Sequence, residues 1–155
     1  MVKKLKKQNY LLLIFCIIIS QAAGGVGSLF TFPAITGWYQ TLNKPFFNPP
    51  NWIFGPVWTL LYLLMGISLY LIWVRKGDLK WFWLQLGLNT LWSIIFFGLK
   101  SPIPAFFEIL ILWYAILMTI KTFSGVNRPA AYILYPYLAW VTFASILNFS
   151  VWILN

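Results

Sequence analysis

NWIFGPVWTLLYLLMGISLYLIWV, residues 51–74, is 24 residues long and carries no charge. A helix needs about 20 predominantly apolar residues to cross the hydrocarbon core of a bilayer, whereas a barrel strand needs about half that number and alternates in polarity. This run is too long and too uniformly apolar for a strand, so it reads as a transmembrane helix. Working outward, Trp81 to Leu99 is also free of charge, Ser101 to Ile120 is interrupted only by Glu108, and Pro129 to Leu154 has none. Upstream, Tyr10 to Ile19 is apolar and the small-residue stretch Ser20 to Ser28 extends it to membrane length. The expected fold is all-α: a polytopic five-transmembrane-helix bundle, one domain over 1–155, with spans at about 9–28, 51–74, 81–99, 101–121 and 129–154. Composition agrees. Only 8% of the residues are charged against 61% hydrophobic, and a soluble domain, which carries roughly 25% charged residues, could not cover itself with so few.

Breakers separate the runs: Gly77-Asp78, Ser101-Pro102, and Ser124-Gly125 with Pro129. These short turns imply antiparallel neighbours. The connection 29–50 is different, being long and holding Pro33, Pro45, Pro49 and Pro50. Its aromatics (Phe30, Phe32, Trp38, Tyr39, Phe46, Phe47) argue for an ordered lid, since disorder favours aromatic-poor sequence. Orientation follows from the basic residues. Lys3, Lys4, Lys6, Lys7, Arg75, Lys76, Lys80, Lys121 and Arg128 share one side, nine in all, against Lys44 and Lys100 on the other. The positive-inside rule then makes the N-terminus cytoplasmic, with the C-terminus and first loop external. The net charge of +9 belongs to this pattern and to anionic headgroups. A basic start, an apolar core and Gln21-Ala22-Ala23-Gly24 also match the layout of a cleavable signal peptide.

Conventional catalysis lacks its residues. There is no histidine, and the only carboxylates are Asp78 in a turn and Glu108 in a span. A Ser-His-Asp triad, a paired-carboxylate hydrolase and a zinc or di-iron site are thereby excluded, and no metal ligands are assigned. Cys16 is the single cysteine, so no intrachain disulfide forms. What remains is aromatic and amide chemistry. Of ten tryptophans, Trp73, Trp81, Trp83 and Trp152 suit an interfacial belt, and Trp113 suits packing. Trp92 and Trp140 lie too deep for the belt, and a deep indole needs an N–H partner or borders a cavity. Trp140, Ala144, Leu147, Asn148 and Val151 form one helical stripe; Asn89, Trp92, Ser93 and Phe96 form another. Interhelical hydrogen bonding accounts for such stripes as readily as a ligand surface does. With Trp52 they fall beneath the long loop, as a mostly apolar pocket with a lid requires. Glu108, the one ionisable group in a span, is by default a functional candidate. The small stretch 22–28 reads as close helix packing, or else as space for a flat ligand.

Several ordered blocks resemble the TspO/MBR family (translocator protein, peripheral-type benzodiazepine receptor): Trp38 to Pro45, Pro49-Pro50-Asn51-Trp52, Gly55 to Trp58, Asn89 through Gly98, and Pro136 through Trp152. The resemblance covers the whole chain and implies a retained first helix. It also implies a bundle, usually homodimeric, that binds tetrapyrroles such as protoporphyrin IX and benzodiazepine-site ligands, with no cofactor required. Carried over by motif, Trp52, Asn89, Trp92, Phe96, Trp140, Ala144 and Leu147 would line the pocket, with Tyr39 and Pro45 on its lid. The family has been linked to porphyrin or steroid transport and to light-dependent porphyrin breakdown, for which Trp52 and Trp140 are the photochemical candidates. Two departures stand out. No Lys or Arg follows Arg128, so the family's C-terminal cholesterol motif is absent, and Pro104 replaces a larger expected side chain. Without histidine, haem would lack its commonest axial ligand, so a metal-free porphyrin is the expected ligand, with Lys44 as a partner for its propionates. A bacterial cell membrane is the expected location, and the partners are an apolar small molecule and the lipid bilayer, not nucleic acid.

Overall fold

The computed structural model describes the backbone of residues 2–155 and the side chains of residues 9–155. The side chains of Lys3, Lys4, Lys6 and Lys7, four of the nine basic groups that orient the chain, lie outside the described residues. Among the described residues all regular structure is helical. Helix α1 is Val2–Ile35, α2 Asn51–Trp73, α3 Lys80–Ser93, α4 Pro102–Ser124, α5 Arg128–Tyr132 and α6 Tyr135–Leu154. A 3₁₀ turn occupies Trp38–Thr41, and α3 runs on as a π-helical turn over Ile94–Gly98.

Among the described residues four segments are long and apolar enough to cross a membrane: Asn9–Ile35, Asn51–Trp73, Pro102–Ser124 and Arg128–Leu154. The segment expected as the third span falls short for two physical reasons. Its α-helical part is only 14 residues, and Lys80, Gln85, Asn89 and Thr90 dilute its apolar character. The lid is also shorter than expected. Helix α1 continues to Ile35, so residues 29–35 are helical and the connection narrows to 36–50. Pro33 sits in the last turn of α1, where its missing N–H leaves only one carbonyl unpaired instead of breaking the helix. The fifth run is likewise divided, since α5 forms a short preliminary turn before α6. Asn127 caps α5 by accepting from the Ala130 N–H at 3.5 Å, the usual role of an N-cap amide oxygen.

Packing is closest where α1 meets α2. A Cβ added at Gly66 would lie 2.6 Å from the Ile17 Cα, and one at Gly24 would meet the Tyr62 ring. In lipid, helices associate by van der Waals contact, and small residues permit that approach. Around this seam Met65, Leu69 and Ile72 of α2, Phe82 of α3, Ile116 of α4 and Val141 of α6 are fully buried. Phe82 stacks on Phe123 with centroids 6.1 Å apart. Ser68 donates to the Ala130 carbonyl at 2.8 Å and so ties α2 to α5. Gly66→Val is expected to lower stability by about 1–3 kcal/mol through overpacking, read as a fall in the thermal midpoint in detergent. Gly87→Ala, where an added Cβ meets nothing within 4 Å, is expected to cause no fall.

Candidate ligand-binding cavity

Helices α1, α2, α3 and α6 enclose a cavity of about 360 Å³ beneath the lid, within the range of roughly 300–1,000 Å³ usual for small-molecule pockets. One wall has little bulk: Gly24, Gly25, Gly27 and Ser28 of α1. The facing walls are aromatic, from Phe54, Trp58 and Tyr62 on α2, Trp92, Phe96 and Phe97 on α3 and its π turn, and Trp140 on α6. Ala144, Leu147 and Asn148 complete the α6 side. The result is a cavity with aromatic walls opposite a stretch of small residues, flanked on α1 by Gln21 and Phe32.

The rings hold one another in place. Trp92 stacks on Phe96 at 5.1 Å, and Trp58 stacks on Tyr62 at 5.7 Å. From the lid, Trp38 packs edge-on to Phe96 at 5.8 Å and Tyr39 packs on Phe97 at 5.8 Å. The π turn widens the helix by one residue per turn, a feature common at functional sites, and here both Phe96 and Phe97 are buried beneath the lid. Tyr39 is 2% exposed and donates from its hydroxyl to Asn48 Oδ1 at 2.8 Å. Burial pushes that hydroxyl up to about 12, so it stays a neutral donor.

Polar groups at this site are few and mostly paired. Trp92 Nε1 donates to Asn148 Oδ1 at 3.0 Å, and Asn148 Nδ2 donates to the Pro102 carbonyl at 2.8 Å. Below the cavity, the Tyr62 hydroxyl donates to Asn89 Oδ1, and Asn89 Nδ2 donates to the Tyr137 hydroxyl at 2.7 Å. Trp140 Nε1 is buried and has no hydrogen-bond partner among the described residues. An unpaired buried donor costs about 1–3 kcal/mol, so a ligand acceptor brought to this N–H by a small movement of the ring would relieve that cost.

Six residues expected at a pocket come together here: Tyr39, Trp92, Phe96, Trp140, Ala144 and Leu147. Three do not. Trp52 is 73% exposed; it stands two residues before Phe54, about 200° around the helix from the inward stripe at about 100° per residue. Pro45 belongs to the lid, where its carbonyl accepts from the Asn48 N–H at 3.0 Å, and does not reach the wall. Asn89 is 2% exposed and lies under the floor instead of on the wall. Lys44 turns its ammonium over the Tyr39 ring, 4.9 Å from the centroid, and donates to the Leu42 carbonyl. Glu108 is 7% exposed, away from the wall, with neither oxygen paired among the described residues. Trp113 donates to Thr142 Oγ1 at 2.8 Å, on the α4–α6 side. The aromatic stripe Phe54, Trp58 and Tyr62 was open to sequence reasoning through its four-residue spacing. The Gly24–Ser28 stretch serves both readings at once, since Gly24 packs on Tyr62 while Gly25 meets nothing within 4 Å.

Asn89→Leu is expected to destabilise the protein by about 1–3 kcal/mol, because two buried hydroxyls lose their partner. Tyr62→Phe, which removes one bond, is expected to cost about 0.5–1.5 kcal/mol. Thermal unfolding in detergent measures both, and an unchanged midpoint for Asn89→Leu would contradict the assignment.

The TspO/MBR family model matches residues 16–153, from α1 to the end of α6. A tryptophan-rich protein TspO from Archaeoglobus fulgidus is 45% identical over 152 residues, 95% of this chain and 99% of its own. The translocator protein of Homo sapiens is 39% identical over 135 residues, 82% of this chain and 80% of its own. A tryptophan-rich sensory protein from Cereibacter sphaeroides is 37% identical over 133 residues, 79% of this chain and 84% of its own. With a match of this extent on a chain of membrane-crossing helices, the protein is a multi-pass membrane protein and belongs to the TspO/MBR family.

Proposed function

We propose that this protein is a five-span membrane receptor that binds a flat, metal-free tetrapyrrole such as protoporphyrin IX in the cavity, in porphyrin handling or a stress response. The fifth span is α3 with its π turn, Lys80 to Gly98, whose two helical parts are 14 and 5 residues long. Its two amide side chains are withdrawn from lipid: Gln85 and Asn89 are buried. The N-terminus is cytoplasmic on the basic-residue pattern. The observation that carries the ligand reading is the lining: rings of α2, α3 and α6 face the glycines of α1, and one of those rings, Trp140, has a buried indole N–H without a partner among the described residues. Flat aromatic faces stack on such walls, and polar side chains of the lining, Asn51 and Ser93 among them, give the ligand a direction. Benzodiazepine-site ligands are flat enough for the same slot. The relative named as a tryptophan-rich sensory protein supports a sensory role.

A second reading concerns light. Of Trp52 and Trp140, only Trp140 lines the cavity, so of these two it is the one placed to exchange electrons with an excited porphyrin.

Titration of the purified protein with protoporphyrin IX, followed by quenching of tryptophan fluorescence, is expected to saturate in the micromolar range or below. Trp140→Phe keeps the ring and removes the N–H, so affinity should fall about threefold to tenfold, the equivalent of about 0.5–1.5 kcal/mol. Absence of saturable binding overturns the proposal. Under illumination, a porphyrin product that persists in Trp140→Phe protein would eliminate the second reading.

A further inference from the structure

We infer that the cavity is loaded sideways from the bilayer, through a gap between the lid-end halves of α1 and α2, and not through the lid. The identity of the ligand rests on the proposal above, but the route rests on the walls.

The exposure of the cavity's lining is confined to two helices. Gly25 and Phe32 on α1, and Asn51, Gly55 and Thr59 on α2, are exposed, while every lining residue of α3, its π turn and α6 is buried or half-buried. The exposed part of the lining thus flanks the seam between α1 and α2. The glycines show the same divergence. Nearer the basic end, Gly66 of α2 leaves no room for a Cβ against the Ile17 backbone of α1. Toward the lid, a Cβ at Gly25 or Gly55 would meet nothing within 4 Å. The two helices touch at one end and part at the other. Gln21 Nε2 donates to the Thr59 carbonyl at 2.9 Å, the polar tie across the lower edge of the gap.

The lid, by contrast, is fastened. The Asn43 N–H donates to Asn155 Oδ1 at 2.9 Å, and Asn155 Nδ2 donates back to the Asn43 carbonyl at 2.9 Å. Asn43 Nδ2 adds a bond to the Leu154 carbonyl at 3.3 Å. Phe47 packs on Phe143 at 6.2 Å, and Tyr39 is buried over the cavity. Both helices beside the gap are long and apolar enough to lie in lipid. A flat apolar molecule already dissolved in hydrocarbon would enter there without crossing water or unfastening the lid.

Bulk placed in the gap tests the route. Gly25→Phe and Gly55→Phe project into open space, so both variants should fold. In nanodiscs, stopped-flow quenching by protoporphyrin IX should show association and dissociation both slowed tenfold or more in these variants. Asn155→Ala, which unfastens the lid, should leave both rates unchanged. Unaltered rates in the glycine variants, or faster association in Asn155→Ala, would overturn the route. So would faster dissociation in the glycine variants, which marks a damaged pocket and not a narrowed entrance. A reading that needs no porphyrin separates the two proposals. In a Cys16→Ser background, Leu147→Cys on the far wall should react with a lipid-soluble maleimide, and adding Gly55→Phe should slow that reaction tenfold. If protoporphyrin IX fails to bind yet this labelling is gated, the ligand assignment fails and the route stands; ungated labelling removes the route.

Discussion

Three side chains at the middle of the bundle set the terms for the rest. Tyr62 of α2, Asn89 of α3 and Tyr137 of α6 bond one another through a single amide, whose oxygen accepts from one phenol and whose nitrogen donates to the other. All three are buried. In a low-dielectric interior an unsatisfied group of this kind costs about 1–3 kcal/mol, and a satisfied network rigidifies what it joins. Helices α2, α3 and α6 therefore share one register at this depth. Trp58 reinforces it by stacking on Tyr62 and meeting Tyr137 edge-on at 6.3 Å. Because Gly24 admits the Tyr62 ring against α1, the fourth helix of the cavity is referred to the same point.

The cavity is what lies above this floor. Below it, α1 and α2 are in close contact at Gly66, and side chains such as Met65, Leu69 and Phe82 have no exposure. Above it, α1 offers mainly glycines and a serine where the other helices offer rings, and the space those small residues leave forms part of the cavity. The lid then rests on Phe96 and Phe97, which the π turn presents beneath it. A floor fixed by hydrogen bonds and a roof fixed by aromatic edges leave the side between α1 and α2 as the least constrained boundary.

Much of this could be read from residue spacing. Run length alone separates helices from barrel strands, and the stripes containing Trp92 with Phe96, and Trp140 with Ala144 and Leu147, are helical geometry written in one dimension. Where spacing was not used, placement suffered. Trp52 sits beside the motif that draws attention to it, but its phase on α2 sends it outward, while Phe54, Trp58 and Tyr62 turn inward. Asn89 shares a stripe with Trp92 yet lies one turn deeper, so its amide serves the floor. Helix α1 runs on to Ile35, past the length a span requires, because membrane thickness is no barrier to a helix that continues beyond it and Pro33 comes too late to stop it.

The amino-acid sequence by itself determined that this chain is helical and membrane-embedded, because apolar runs of this length have no other way to satisfy their backbones in lipid. It also left no residues for a Ser-His-Asp triad, since histidine is absent, and only two carboxylates, one in a turn and one in a span. Tertiary structure alone decided which aromatic rings face a common space, which indole N–H is left unpaired, and where the wall is thin. Those depend on the rotation of each helix about its axis and on the closeness of its neighbours, quantities that arise only when Tyr62, Asn89 and Tyr137 meet.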